Sequence, residues 1–419
     1  MSSTNNVSPK ASPSGIFSAF KISSFRFQFG ADLLVAWAIE MEVIILAWYI
    51  LVATESPVAL AVFGALRFGG TLLSPLIGSV ADKLSRKRML VAFRAGFSLL
   101  AIILMVLSLG DWVVPWHVYV VATITGLLRP ADMMLRQSVI ADAVPREILA
   151  NAMGFSRTTL DSARIVGALA GASLMTLLGM GEAYIVVAGF YTISTLLSLK
   201  IRDISKGQTR TAARPIDDLK AAWRYSRHSA DIKHILYLAF LVNLTLLCIT
   251  GGLLPLVAKN IYAVEATGLG FMVAAFAGGA LVGSLIIAMT MQSIRTERIM
   301  LGATLLWHAL MVGFAQIETA ALGIPWLVVT GLVSSFSMVP MASSLMLAIP
   351  IEFRARIMGL RQLAVFGLPV GLLCSGPLIE WIDVGPTFSL YGVVGFFATI
   401  WIWWSWQRHP DNGLSARSL

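Results

Sequence analysis

The sequence predicts an all-α integral membrane protein with twelve transmembrane helices in two pseudo-symmetric six-helix halves. Its composition, a series of long apolar runs and a self-similarity at one fixed offset lead to that class. Of 419 residues, 57% are hydrophobic and 13% charged, with a mean hydropathy of +0.81. A soluble domain carries about 25% charged residues, so half the usual polar coat is missing and a water-soluble enzyme is close to excluded. The 31 Lys and Arg against 22 Asp and Glu give a net charge of +9. Membrane proteins retain basic residues on the cytoplasmic side, so this excess calls for no nucleic acid or other polyanionic partner. Cys248 and Cys374 lie inside apolar runs with no Cys or His at metal-ligand spacing. Both read as small buried residues, and no metal or cofactor is expected.

Apolar runs bounded by charges, glycine or proline place the helices at about 30–53, 58–80, 89–109, 114–136, 151–178, 183–200, 234–257, 267–291, 299–317, 324–349, 357–379 and 386–406. Hydrocarbon leaves backbone amides no partner outside a helix or a closed barrel, and the alternation that barrel strands need is absent. Residues 1–15 are polar and the first run continues to about Thr54. That is too long for the apolar core of a signal peptide, so the first span is expected to remain.

With the amino terminus inside, the even-numbered connections hold Lys83, Arg86, Lys87, Arg88, Arg146, Arg295, Arg298, Arg354 and Arg356, and the middle connection adds Lys206, Arg210, Arg214, Lys220, Arg224 and Arg227. The odd-numbered connections hold Lys259 and little else. This asymmetry puts both termini and the middle connection in the cytoplasm. The expected organisation is a cytoplasmic segment over 1–29, a six-helix bundle over 30–200, a linker over 201–233, a second bundle over 234–406 and a tail over 407–419. Within the linker, Pro215, Asp217 and Asp218 suit a helix start, and Trp223 and Tyr225 follow among basic residues. Residues 16–29 interleave Phe17, Phe20, Phe25 and Phe27 with Lys21 and Arg26. Both stretches read as short interfacial helices. Trp401, Trp403, Trp404 and Trp406 read as an interfacial aromatic belt.

The self-similarity relates the two bundles. Thr125-Gly126-Leu127 matches Thr330-Gly331-Leu332, Pro145 matches Pro350, Glu147 matches Glu352, Met153-Gly154 matches Met358-Gly359, Gly171 matches Gly376, and Gly78-Ser79 matches Gly283-Ser284, each 205 residues apart. Six helices are thus followed by six related helices in the same orientation, a parallel repeat about an axis along the membrane normal. Two such bundles can rock about a site near the midplane, which makes a transporter the leading class.

After the second run comes Gly78-Ser79-Val80-Ala81-Asp82-Lys83-Leu84-Ser85-Arg86-Lys87-Arg88-Met89-Leu90. It resembles the G-x-L-A-D-R-x-G-R-K-x-x-L signature of the major facilitator superfamily through Gly78, Ala81, Asp82, Arg86, Lys87 and Leu90, while Ser85 and Lys83 depart from it. The resemblance implies an intracellular latch that holds the outward-facing state. In that latch Gly78 permits close helix approach, Asp82 accepts hydrogen bonds from a helix start in the other half, and Arg86 pairs with Asp132 or Asp142. Further along, Arg129-Pro130-Ala131, Val144-Pro145-Arg146-Glu147, Ala150-Asn151-Ala152 and Arg164 to Gly171 are similar to the bacterial enterobactin-exporter and macrolide-efflux group. Gly167 and Gly171 keep the small faces of the run found there, without its proline.

Ionisable residues at helix centres cost about 2.5–3.5 kcal/mol each on insertion scales, so they are paired or line a watery path. The first half holds Asp32, Glu40, Glu42, Arg67, Arg129, Asp132, Asp161 and Arg164, whereas the second offers mainly Asn243 and His308. Glu40, Glu42 and Arg67 fall near mid-depth on adjacent helices, so one Glu is expected to meet Arg67. Its neighbour, about 200° away around the helix, faces elsewhere. A carboxyl in a poorly hydrated cavity holds its proton more tightly and can exchange it as access alternates. Glu40 or Glu42 is therefore the expected proton-coupling acid. Asp161 and Arg164 are expected to pair within their own span, and Asp32, Arg94 and Arg136 to snorkel at the inner boundary in structural roles. His308 reads as a packing residue.

These readings together predict a monomeric, multi-pass protein of the bacterial inner membrane that expels an amphiphilic drug or siderophore, driven by the proton gradient. Proton-coupled uptake and a non-transporting sensor on the same fold are the alternatives. No Ser-His-Asp, HExxH, CxxC or GxxxxGK[ST] pattern supports a membrane enzyme or ATP-driven pumping.

Overall fold

A computed structural model describes residues 17–71, 85–202, 215–290, 296–350 and 353–408. The helices are α1 Ser23–Thr54, α2 Pro57–Leu66, α3 Arg86–Leu109, α4 Pro115–Ala143, α5 Leu149–Leu178, α6 Met180–Leu199, α7 Pro215–His228, α8 Ala230–Ile261, α9 Ala266–Thr290, α10 Thr296–Phe314, α11 Ala320–Ala348, α12 Arg354–Ala364, α13 Gly367–Ile382 and α14 Val384–Arg408. Ten helical segments, with Gly359–Ile382 spanning the α12–α13 joint, are long and apolar enough to cross a bilayer. The other two expected spans correspond to α2 and α10. All described regular structure is helical, and with the apolar surface it defines a multi-pass membrane protein.

Local chemistry sets the turns. Glu55 ends α1 in the left-handed region, φ 53°, and its N–H donates to the Leu51 carbonyl. Ser56 then caps α2, its Oγ accepting from the Ala59 N–H at 3.3 Å, with Pro57 at the first helical position. Ser85 and Ser229 cap α3 and α8 in the same way.

The sequence repeat is also a packing repeat. A Cβ on Gly126 of α4 would lie 2.5 Å from the Leu66 carbonyl oxygen at the end of α2, and one on Gly331 of α11 would collide with the Phe276 carbonyl of α9. Equivalent glycines thus bring equivalent helices into backbone contact in each half.

Between the halves, α2 packs on α13 and α5 on α9. Gly376 lies against Val58 and Ala61, Gly64 against Leu372, and Gly270 against Ala168 and Ala172. The Ser56 hydroxyl donates to Glu380 at 3.2 Å, while Lys259 Nζ donates to the Leu51 carbonyl at 3.3 Å and lies 3.8 Å from Glu55. All these contacts lie toward the end of the bundle that carries the α1–α2 connection.

Several expectations need correction. Residues 17–29 do not form a separate interfacial helix. A short 3₁₀ turn, Ser18–Lys21, leads into α1 at Ser23, and Phe20, Phe25 and Phe29 pack with Phe155 of α5 at ring separations of 4.9–6.4 Å. The phenylalanines bury against one another, which draws the chain into the bundle and moves the start of the first span from 30 to 23. The eleventh span is broken at Val365–Phe366, where Pro369 can give no N–H to continue the ladder. Cys374 is exposed on the surface of α13, unlike the buried Cys248. Of the tryptophan belt, Trp401 and Trp404 are exposed, but Trp406 is buried, stacked on His234 and donating Nε1–H to Asp231 at 2.8 Å. The linker helix α7 begins at Pro215, and its Tyr225 stacks on Phe353 at the start of α12, 4.5 Å between ring centroids.

Gly126→Val should lower stability by about 3 kcal/mol, the upper range for overpacking a tight contact. Thermal unfolding of the purified protein in detergent checks this.

Candidate functional site

Charge in the amino-terminal half is sorted into a locked network and a more open one. The locked network lies toward the terminal end of the bundle, where α1, α3, α4, α5 and α6 meet. Arg94, wholly buried, pairs with Asp32 and, at 3.3 Å, with Asp132. Arg136 Nε lies 2.8 Å from the second Asp32 oxygen. Gln28 donates to Asp32 at 2.7 Å, Arg94 to Ser198 at 2.8 Å, and Arg136 to Ser156 and Thr159. Two arginines and two aspartates neutralise one another, and serine and threonine oxygens take up further N–H groups, which burial of such charges requires. Asp32, Arg94 and Arg136 therefore do not snorkel. They are sealed in the bundle because their partners sit on the neighbouring helices.

Of the expected gate motif, Gly78 and Asp82 lie outside the described residues. Arg86 Nη1 donates to both carboxylate oxygens of Asp142, at 2.9 and 3.0 Å. Asp132 is not its partner, being held by Arg94. Lys87 lies in the first turn of α3.

The more open network sits nearer mid-depth. Arg129 of α4 pairs with Glu40 of α1 at 3.2 Å, with 31% and 20% of their side chains exposed. Glu42 is buried on the other side of α1 and accepts from Tyr191 at 2.9 Å and Tyr184 at 3.2 Å. Neither glutamate forms an ion pair with Arg67 among the described contacts, which corrects the expected Glu–Arg67 pair. Arg67 lies 5.9 Å from the ring centres of Phe63 and Phe68, and with Glu42, Arg129, Thr125 and Tyr191 it lines a cavity of about 30 Å³. That volume admits a water molecule, so solvent can serve the charges in place of a direct pair.

On α5, Asp161 pairs with Arg157 at 3.3 Å and not with Arg164. The helix is α-helical through Ser162, which sets residues four apart face to face, and then opens into a π-turn over Ala163–Gly167 that carries Arg164 out of that register. Gly167 and Gly171 form the seat of α1. A Cβ on Gly171 would meet Met41 Cα at 2.6 Å, and one on Gly167 would meet Glu40 Cβ at 3.1 Å. His308 is buried, its Nε2 sharing a hydrogen bond with Thr245 and its Nδ1 one with the Thr304 carbonyl, each at 2.9 Å. The tyrosines that hold Glu42 were absent from the sequence-derived set. Their seven-residue spacing, which gives one helix face, was the available signal.

A neutralised bundle core, a mid-depth ion pair open to solvent and two repeated six-helix units define a secondary transporter of the major facilitator type. Residues 14–412 match the profile of the transmembrane secretion effector family of that superfamily, and the chain belongs to it. No curated protein matches the sequence. Among solved structures, the nucleoside transporter NupG is similar at a TM-score of 0.73 and 16% identity, covering 90% of this chain and 99% of its own. A D-xylose-proton symporter gives 0.70 at 14% identity, covering 92% and 98%. The POT family transporter PepTSo gives 0.69 at 12%, covering 93% and 99%. At these identities the likeness is one of fold.

Arg94→Ala would leave Asp32 and Asp132 buried without their shared partner and should cost about 3–5 kcal/mol. Arg86→Ala, which breaks a partly exposed pair, should cost about 0–1 kcal/mol. Unfolding midpoints of the two variants, measured side by side in detergent, test the distinction.

Proposed function

We propose that this protein is a proton-coupled exporter of amphiphilic small molecules in the bacterial inner membrane, with both termini cytoplasmic and Glu40 as the coupling acid. The carrying observation is the partly exposed Glu40–Arg129 pair, 3.2 Å long, beside the α1–α5 seat. Glu42 lines the small inner cavity and is held by two tyrosines, whereas Glu40, outside that cavity, is partly exposed and has a partner it can release. Protonation of Glu40 cancels its attraction to Arg129 and frees the guanidinium, so proton occupancy and the shape of the central site become linked.

The basic bias of the even-numbered connections supports cytoplasmic termini. With that orientation, the contacts of Ser56 with Glu380 and Lys259 with Glu55 lie on the outer side, and the halves are closed there. Export follows the family's description as a secretion effector and the motif resemblance to siderophore and macrolide exporters. The D-xylose-proton symporter among the structural neighbours favours uptake as the second reading, since the same fold runs in either direction.

The test is solute flux in proteoliposomes under an imposed pH gradient. Glu40→Gln should remove gradient dependence and Glu42→Gln should retain it, while the thermal stability lost in Arg129→Ala should return in part when Glu40→Gln is added, because the pair is one unit. Gradient-driven flux at wild-type level in Glu40→Gln contradicts the assignment.

A further inference from the structure

Arg164 has no role in the coupling scheme, and its surroundings are unusual for an intramembrane arginine. It lies halfway along α5, inside the π-turn Ala163–Gly167, and is exposed. No carboxylate among the described residues lies within ion-pairing distance of it, since Asp161 is taken by Arg157 and Glu40 by Arg129.

The placement of Arg164 follows from the contacts of its π-turn, which packs against both α1 and α9. Gly167, three residues later, packs on Trp37 and Glu40 of α1. Ala168, four residues later, packs on Gly270 of α9 in the other half. Arg164 thus sits one turn below the junction of α1, α5 and α9, toward the terminal end of the bundle, where the inter-half seam gives way to exposed surface. Arg157, seven residues earlier on the same side of α5, is exposed too, with its charge offset by Asp161. An intramembrane arginine turned to hydrocarbon is strongly disfavoured, whereas one turned to the space between the halves is served by water or by cargo.

We infer that Arg164 is the anchor for the anionic group of an amphiphilic organic anion, bound between α1, α5 and α9 where the halves part. This rests on the transporter reading and names its cargo class. A guanidinium presents paired N–H donors to a carboxylate, sulfonate or phosphate ester. The tryptophan ring of Trp37, fixed by its Nε1–H bond to Ser162 at 3.2 Å, stands beside the site on α1. An inside-negative membrane potential favours outward movement of such an anion, in keeping with export.

The test uses two probes that differ by one charged group, anilinonaphthalene sulfonate and its uncharged parent phenylnaphthylamine, bound to the full-length protein in nanodiscs with empty nanodiscs subtracted. The wild-type protein should prefer the sulfonate. Arg164→Gln should lower the sulfonate-to-parent affinity ratio about ten- to a hundredfold, the loss of one charge-assisted contact, and Arg164→Lys should restore part of it. If Arg164→Gln does not yield folded protein, added salt on the wild-type protein supplies the second reading, because screening should weaken the sulfonate and spare the parent. Equal affinity for the two probes, a ratio untouched by Arg164→Gln, or a preference insensitive to salt overturns the proposal. No proton gradient is present, so loss of proton coupling in the flux assay and loss of anion preference here are separate results.

Discussion

A charged side chain inside a bilayer must be neutralised, hydrogen-bonded or kept in water, and this constraint decides how the amino-terminal half is built. The Asp32–Arg94–Asp132–Arg136 network meets it by exact balance, fastening α1, α3, α4, α5 and α6 into one unit. Replacing such a network by apolar residues can be neutral for stability, but removing one member leaves a bare charge. Glu40 and Arg129 meet the same constraint with a pair that solvent reaches, and Arg164 meets it through exposure alone.

Small residues supply the complementary feature. Gly126 and Gly331 fix the interior of each half, whereas Gly64, Gly270 and Gly376 lie where the halves touch. Contacts between the halves are mostly apolar and shape-dependent, joined by a few exposed polar pairs such as Ser56 with Glu380 and Lys259 with Glu55. Contacts of that kind can separate without stranding a buried charge. Rigid bundles joined by a separable seam are what alternating access requires.

Span positions, the paired halves and the Gly126–Gly331 equivalence were legible in the sequence, because hydropathy and a fixed offset report on the backbone directly. Pairing between side chains was not. Depth along a helix can be counted, which brought Glu40, Glu42 and Arg67 to one level, but rotation about the helix axis is set by packing. Arg129, not Arg67, consequently stands opposite Glu40. Asp161 and Arg164 illustrate a second limit: the π-turn at Ala163–Gly167 has no sequence signature and shifts the register that three-residue spacing presumes. The aromatic cluster of Phe20, Phe25, Phe29 and Phe155 illustrates a third, since residues that suit a membrane surface also suit one another.

Solute should cross only when the two bundles separate at the α1–α2 end. Cysteines placed at Ser56 and Glu380, in protein whose Cys248 and Cys374 are replaced by serine, allow that end to be locked by oxidation and released by a reductant. Flux in proteoliposomes should stop on oxidation and return on reduction. Full flux with the crosslink formed would contradict the account.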